Sequence, residues 1–305
     1  MSLSVIIPTY NHAHFLPECL DSIVQQELQA FEILVIDDAS TDNTREVVES
    51  YCAKHPQIKY IKNEKNLKPA RSINLALSIA KGEYIVGSAA DDFLLPGFFQ
   101  KGVEFLDSQK ELAFCCGDTF HFYGEKPYHF QFLKTLALDQ TKIFDSSKIQ
   151  NLFRKENFVI QSHACMYRKD RLIEAGGFNP ELQSLCDWYL NVFLALKWGF
   201  GYLPHAFAAY RLTPGSYANA VLQNREARKK TLSALFNILD QPDNSSIKKG
   251  FKEGLLFSQI NYPYFMDFIR EPKYWSLTFP SFPKKIQNMA HKKIGRIFSF
   301  FQNHP

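Results

Sequence analysis

From Pro272 to Pro305 the chain contains no Asp or Glu, while six basic residues fall there: Lys273, Lys284, Lys285, Lys292, Lys293 and Arg296. Subtracting those six from 35 Lys and Arg leaves 29 against 31 acidic residues, so the formal net charge of +4 belongs to the tail. A slightly acidic body speaks against nucleic-acid binding. The six cysteines (Cys19, Cys52, Cys115, Cys116, Cys165, Cys186) include no CxxC pair and no metal-ligand spacing. Most sit among apolar residues, where a reduced thiol is the default, and a reducing, cytoplasmic location follows. No apolar run approaches the roughly 18 residues that span a bilayer. Met1-Ser2-Leu3-Ser4 enters a strand pattern directly, without the segments of a signal peptide. GxGxxG does not follow the first strand, and GxxxxGK[ST], HExxH, GxSxG and kinase signatures are missing throughout. A bound nucleotide would therefore need a metal or basic side chains to neutralise its diphosphate.

What is present is an ordinary globular composition over 305 residues, 46% hydrophobic and 22% charged, with core material for a large α/β domain. Leu3 to Pro8, Phe31 to Ile36, Ile58 to Ile61 and Glu83 to Gly87 read as buried strands. Between them, Phe15 to Gln26, Thr44 to His55 and Ala70 to Ala80 show helical spacing of apolar residues. Such alternation predicts a mostly parallel sheet with crossover helices and a ligand crevice outside the carboxyl ends of the strands. Asp37, Asp38, Asp91 and Asp92 all fall at that edge. Four converging carboxylates repel one another unless a cation or ligand hydroxyls balance them.

Five segments, in order and spacing, resemble glycosyltransferase family 2, the inverting nucleotide-sugar-dependent enzymes of GT-A fold. They are Val5-Ile6-Ile7-Pro8-Thr9-Tyr10-Asn11, Ile33 to Asp42, the Asp91-Asp92 segment, Gly176-Gly177-Phe178-Asn179 and Cys186-Asp187-Trp188. The resemblance covers residues 3 to about 216. It implies an α/β GT-A catalytic domain over 1–216, with a nucleotide-binding half to about 97 and an acceptor half over 98–216. A helical C-terminal extension with a basic amphipathic tail is expected over 217–305.

The resemblance also implies roles. Pro8, Thr9, Tyr10, Asn11, Asp38, Arg71 and Asp91 would bind the nucleotide, Asp91 and Asp92 a Mg2+ or Mn2+ ion, and Arg211 the diphosphate. Asp187 would be the catalytic base, since a sugar hydroxyl is a poor nucleophile until a carboxylate takes its proton. A helix N-terminus at Asp187 is expected to keep that carboxylate ionised. Three positions depart from the family pattern. Ala89 stands for the first Asp of the acidic motif, Thr213 for a His, and Ile73 for an Arg, with Arg71 two positions earlier. Ser88 is a hydroxyl that could serve in place of the lost carboxylate.

The expected reaction is transfer of a sugar from a UDP- or other nucleoside-diphosphate donor to a glycan or lipid-linked hydroxyl in bacterial surface-polysaccharide synthesis. The alternatives are a non-catalytic nucleotide-sugar or glycan binder and a sugar-phosphate nucleotidyltransferase. His121, His129, His163 and His205 read as structural or surface residues, with His163 a candidate for the acceptor side. Between Ile286 and Phe301 a basic amphipathic stripe is suited either to peripheral contact with the inner face of the cytoplasmic membrane or to packing on the domain or a second copy.

Overall fold

The computed structural model describes residues 2–271 except 125, 137, 148, 156–159, 214, 254–255, 257–259 and 261. The tail stripe over 286–301 lies outside the described residues. Strands that are apolar throughout need cover on both faces, and the first seven elements provide it. They are β1 (Leu3–Thr9), α1 (Leu16–Val24), β2 (Glu32–Asp37), α2 (Thr44–Cys52), β3 (Ile58–Lys62), α3 (Pro69–Ile79) and β4 (Tyr84–Gly87). β1 pairs in parallel with β2 and β4, and β2 with β3, so that Val5 faces Ile33 and Val86 in register.

Alternation along each strand divides the core into two layers. Val5, Ile7, Ile33 and Val35 pack with Leu20 and Ile23 of α1. Ile6, Leu34 and Ile36 pack on the other face with Leu77 of α3. Each such aliphatic side chain contributes roughly 1.5–3 kcal/mol on full burial. Pro17 sits in the first turn of α1, where its missing N–H costs nothing, and Leu16, Cys19, Leu20 and Ile23 form the helix's buried face.

After β4 come β5 (Phe93–Leu94), α4 (Phe98–Ser108), β6 (Phe114–Tyr123), β7 (His129–Leu133), β8 (Lys142–Phe144), α5 (Ile149–Lys155), β9 (Cys165–Arg168), α6 (Lys169–Glu174), α7 (Cys186–Trp198) and β10 (Phe200–Arg211). The sheet order is β3-β2-β1-β4-β9-β6-β10-β5, with β7 on β6 and β8 on β10. β9 runs antiparallel to β4 and β6, and β6 is parallel to β10. Strands β1 to β4, β6 and β10 therefore all point one way. The reversed β9 brings its start, and the 3-10 turn Ser162–Ala164 before it, to the edge where the other strands end. Between Tyr202 and Ala208 the β10 ladder slips register around Pro204, which cannot donate a ladder hydrogen bond. The strand then resumes, and Tyr210 and Arg211 pair with His121 and Phe122.

The C-terminal helices α8 (Tyr217–Gln223), α9 (Arg225–Leu239), α10 (Ser245–Glu253) and α11 (Tyr262–Ile269) follow. Leu232, Leu235 and Phe236 of α9, with Phe251 and Phe268 beyond it, bury in the same layer as Leu190 and Leu194 of α7. The described part of the extension thus backs the helix that carries Asp187. An ion pair between Arg228 and the buried Asp267, at 2.7 Å, ties α9 to α11.

Candidate active site

The four edge carboxylates have different surroundings. Asp37 is fully buried; Oδ1 accepts from the Ser40 N–H at 2.7 Å and Oδ2 from the Tyr60 hydroxyl at 2.5 Å, closing the turn after β2. Asp38 Oδ1 accepts from Asn63 Nδ2 (2.8 Å), the Leu67 N–H (2.8 Å) and Ser72 Oγ (2.9 Å). Its Oδ2 accepts from the Lys68 N–H at 2.9 Å and keeps a lone pair. Asp38 thereby clamps the loop that opens α3, whose first turn carries the exposed Arg71. Pro8 and Thr9 end β1, and the buried Thr9 hydroxyl has no hydrogen-bond partner among the described residues. Asn11, at φ +56°, accepts from the Thr41 N–H (2.8 Å) and donates its own N–H to Ser40 Oγ (2.9 Å). These bonds staple the loops after β1 and β2, and leave Tyr10 44% exposed beside them.

Asp92 is buried next to a half-buried Asp91. Loss of water and then the Asp91 charge push its carboxyl well above the ordinary carboxylate range. Oδ1 accepts from the Arg211 N–H at 2.8 Å. A divalent cation would relieve this repulsion, and Mg2+ or Mn2+ needs only one or two carboxylates when phosphate and water complete its shell. Among the described residues no group of three or more His, Cys, Asp or Glu is placed to hold a metal, so the fit here is a carboxylate pair plus a diphosphate. Ser88 is buried against Cys19 Sγ (3.6 Å), and that thiol donates to the Ala89 carbonyl (3.4 Å). Burial pushes the Cys19 thiol up to about 12.

Arg211 is buried behind the pair. Nε donates to the Asp91 carbonyl (3.0 Å), and Nη2 donates to Glu18 Oε2 (2.8 Å) and the Tyr128 hydroxyl (3.4 Å). Its guanidinium lies 4.4 Å from the Phe15 and Phe122 ring centres. A phosphate would reach Nη2 by competing with Glu18.

The path to Asp187 starts at Gly177. Its φ is +70°, and a Cβ there would lie 2.6 Å from Asn74 Oδ1. The Asn74 amide accepts from the Phe178 N–H (2.9 Å) and donates to the Phe178 carbonyl (2.7 Å), joining α3 to the loop before α7. Leu185 occupies the N-cap of α7, and Asp187 lies inside the first turn. Its Oδ1 accepts from the Trp188 N–H (2.8 Å) and its Oδ2 from Ser162 Oγ (3.4 Å). Burial raises the Asp187 carboxyl above the usual range despite these bonds. The helix N-terminus and these bonds favour the ionised form while desolvation opposes it, and a carboxyl raised in this way is a stronger base once ionised.

A cleft of about 580 Å³ opens before Asp187, lined also by Trp188, His163, Tyr210 and Thr213. Buried His163 Nε2 and Thr213 Oγ1 have no hydrogen-bond partners among the described residues. Burial, with a smaller effect of His121, lowers His163 to about 3, so its imidazole is neutral. The His163 ring stacks on Tyr210 at 5.1 Å, and the His121 ring lies 5.2 Å from Tyr210 at a tilt. Burial pushes the Tyr210 hydroxyl up to about 12, helped by the charges of Asp92, Asp91 and Asp187. One phenol thus feels the charge of both acidic groups and lines the cleft before Asp187. Sequence reasoning missed Tyr210; adjacency to Arg211 was its one signal. His129 and His205 are exposed, as surface residues.

A six-strand unidirectional frame with carboxylates at its carboxyl edge, and no glycine-rich phosphate loop, is the architecture of a GT-A nucleotide-sugar transferase. Residues 4–176 match the model for Glycosyl transferase family 2. The chain belongs to that family and is a glycosyltransferase. The matched span stops at Gly176, short of Asp187. Glycosyltransferase GlyG of Streptococcus pneumoniae serotype 4 is 29% identical over 179 residues, 58% of each chain. That alignment therefore spans little more than half of the relative. Residues 1–349 of Staphylococcus aureus TarS in complex with UDP-GlcNAc share the fold with a TM-score of 0.66 at 20% identity, over 91% of this chain and 82% of that one. The mannosyltransferase PcManGT from Pyrobaculum calidifontis, solved with GDP-Man and Mn2+, superposes with a TM-score of 0.57 at 16% identity, over 99% and 88% of the two chains. No helix among the described residues is long and apolar enough to cross a membrane.

Proposed function

We propose that this enzyme transfers a sugar from a nucleoside-diphosphate donor to a hydroxyl of a glycan or lipid-linked acceptor, with inversion at the anomeric carbon. The observation that carries the reading is that Tyr210 lines the cleft before Asp187 while the next residue, Arg211, donates its backbone N–H to Asp92 Oδ1 at 2.8 Å. Donor and acceptor chemistry can then meet at the end of β10.

In this reading Pro8, Thr9, Tyr10, Asn11, Asp38 and Arg71 hold the nucleotide. The exposed Tyr10 ring supplies a wall, and the unpartnered Thr9 hydroxyl and the open lone pair of Asp38 supply polar contacts. Asp91 and Asp92 hold Mg2+ or Mn2+, which when bound neutralises the departing diphosphate. Arg211 serves the diphosphate from behind by fixing the Asp91–Asp92 turn. Asp187 takes the proton of the acceptor hydroxyl as that oxygen bonds to the anomeric carbon and the bond to the diphosphate oxygen breaks. Such a base contributes roughly 10²- to 10⁴-fold. Unpartnered His163 Nε2 and Thr213 Oγ1 offer hydrogen bonds to sugar hydroxyls, a buried polar group being costly while it stays unpaired.

We place the reaction in the cytoplasm, at the inner face of the membrane where lipid-linked acceptors lie, and in the synthesis of a bacterial surface polysaccharide. The stripe over 286–301 then serves as membrane contact or as a contact with a second copy. Incubating purified protein with a panel of nucleotide-sugars, read by mass spectrometry, tests the proposal. Slow release of nucleoside diphosphate from one donor supports it. Release of pyrophosphate would indicate a nucleotidyltransferase, and no release from any donor a non-catalytic binder.

A further inference from the structure

Asn191 is 1% exposed and Tyr167 2% exposed, yet both carry polar groups deep between β9 and α7. Their hydrogen bonds run in one direction. The Tyr167 hydroxyl donates to Asn191 Oδ1 at 2.8 Å. That bond turns the amide so that Nδ2 faces away, where it donates to Ser162 Oγ at 2.9 Å and to the Ile160 carbonyl at 3.3 Å. Because Ser162 Oγ already accepts from Asn191, its own proton is free to go elsewhere. Two acceptors are in reach, the Tyr167 oxygen and the Asp187 carboxylate. Once ionised, the carboxylate is the stronger. We propose that Tyr167, Asn191 and Ser162 form a one-way hydrogen-bond chain that aims a donor at Asp187 Oδ2 and holds that carboxylate toward the cleft.

The chain's purpose follows from the position of Asp187. Its Oδ1 is held by the Trp188 N–H at 2.8 Å, so Oδ2 is the atom left to turn. The 3.4 Å separation to Ser162 is long, as such bonds often are before substrate arrives. A carboxylate held at Oδ1 and steered at Oδ2 is kept from swinging away from an approaching hydroxyl. The inference rests on Asp187 as base, and it makes Ser162 a positioning residue, with Asn191 and Tyr167 acting through it.

The groups around Asp187 allow a clean reading by pH. Cys186 on its own helix, Tyr167 on β9 and Tyr210 on β10 feel its charge, and His163 on the turn before β9 lines the same cleft. Burial raises the first three, Tyr210 to about 12, and lowers His163 to about 3. None of them changes charge near neutrality, whereas Ser162 favours the ionised carboxylate.

The test is a side-chain 13C NMR titration of the aspartates in full-length protein without ligand, with the Asp187 signal assigned by its loss in Asp187→Asn. In Ser162→Ala the Asp187 carboxyl should titrate about one pH unit higher than in wild type, the scale of losing one hydrogen bond to a charged group. Ser162→Thr, which keeps the hydroxyl, should restore the wild-type midpoint. Tyr167→Phe should shift it less, in the same direction. Ser162→Ala combined with Asn191→Leu should titrate like Ser162→Ala alone, because Asn191 acts through the serine. A wild-type midpoint in Ser162→Ala, or additive shifts in the double variant, would overturn the chain. Should Asn191→Leu not fold, the Ser162 and Tyr167 variants decide alone. Since the titration needs no turnover, it reads the chain separately from the assignment of Asp187 as base. Transfer surviving in Asp187→Asn would defeat that assignment and leave the titration result standing.

Discussion

Arg211 touches Asp92 through its backbone: the Arg211 N–H meets Asp92 Oδ1 at 2.8 Å, while the guanidinium turns back to the Asp91 carbonyl and Glu18 and acts on Asp92 only through space. The cation is thus placed to set the geometry of the acidic turn. Arg211→Lys keeps a charge but loses the planar stack and the Nε–carbonyl bond. Nucleoside-diphosphate binding measured by calorimetry is expected to weaken several-fold with Mn2+ present and to change little in EDTA. Equal weakening in both would make Arg211 a direct phosphate ligand.

Asp92 carries a cost that a cation would offset. Its folded-state carboxyl lies above its unfolded value, so its stabilising effect is complete below about pH 4 and is lost as pH rises through the raised value. Asp92→Asn removes that loss. In EDTA at neutral pH the variant should unfold at a higher temperature than wild type, and the gap should close on acidification. A lower unfolding temperature at neutral pH would contradict this account.

Metal-linked binding should follow the same group. Asp91→Ala and Asp92→Ala are expected to reduce nucleoside-diphosphate affinity by at least tenfold in Mg2+ or Mn2+, and far less in EDTA. In wild type the metal-dependent part should fade as pH drops through the raised Asp92 value, since protons and cation compete for one carboxylate. A metal-independent loss would mean that the pair does not act through a cation.

Asp187→Asn preserves shape and the Trp188 contact while removing the base. Transfer should fall at least a hundredfold with nucleotide affinity within about twofold of wild type. In the wild-type enzyme the acidic limb of kcat/KM should lie above the usual carboxylate range, because burial raises the Asp187 carboxyl. Activity persisting unchanged to pH 4 would place the base elsewhere.

Gly177→Ala tests the loop that delivers α7. A side chain at φ +70°, 2.6 Å from Asn74 Oδ1, should cost about 1 to 3 kcal/mol in urea unfolding. Asn74→Ala, which frees the space, should make the glycine substitution less costly in the double variant.

The sequence determined the alternation of strands and helices through β4, because apolar runs and helical spacing are local signals and burial on both faces leaves them uninterrupted. It also determined that Asp37, Asp38, Asp91 and Asp92 share one edge, since parallel strands gather their carboxyl ends. Tertiary structure decided what each carboxylate does there. Asp37 is spent on Ser40 and Tyr60, Asp38 on the loop before α3, and Asp92 on the Arg211 backbone. Arg211 finds Glu18 across 193 residues, a pairing that no spacing encodes. The antiparallel insertion of β9 brings Ser162 to Asp187, and the slipped register of β10 precedes the stretch that pairs Tyr210 with His121 and sets the Arg211 N–H on Asp92. Desolvation, which turns Asp187 into a stronger base, is a sum over every neighbour that packs against it, and it exists only once those neighbours have met.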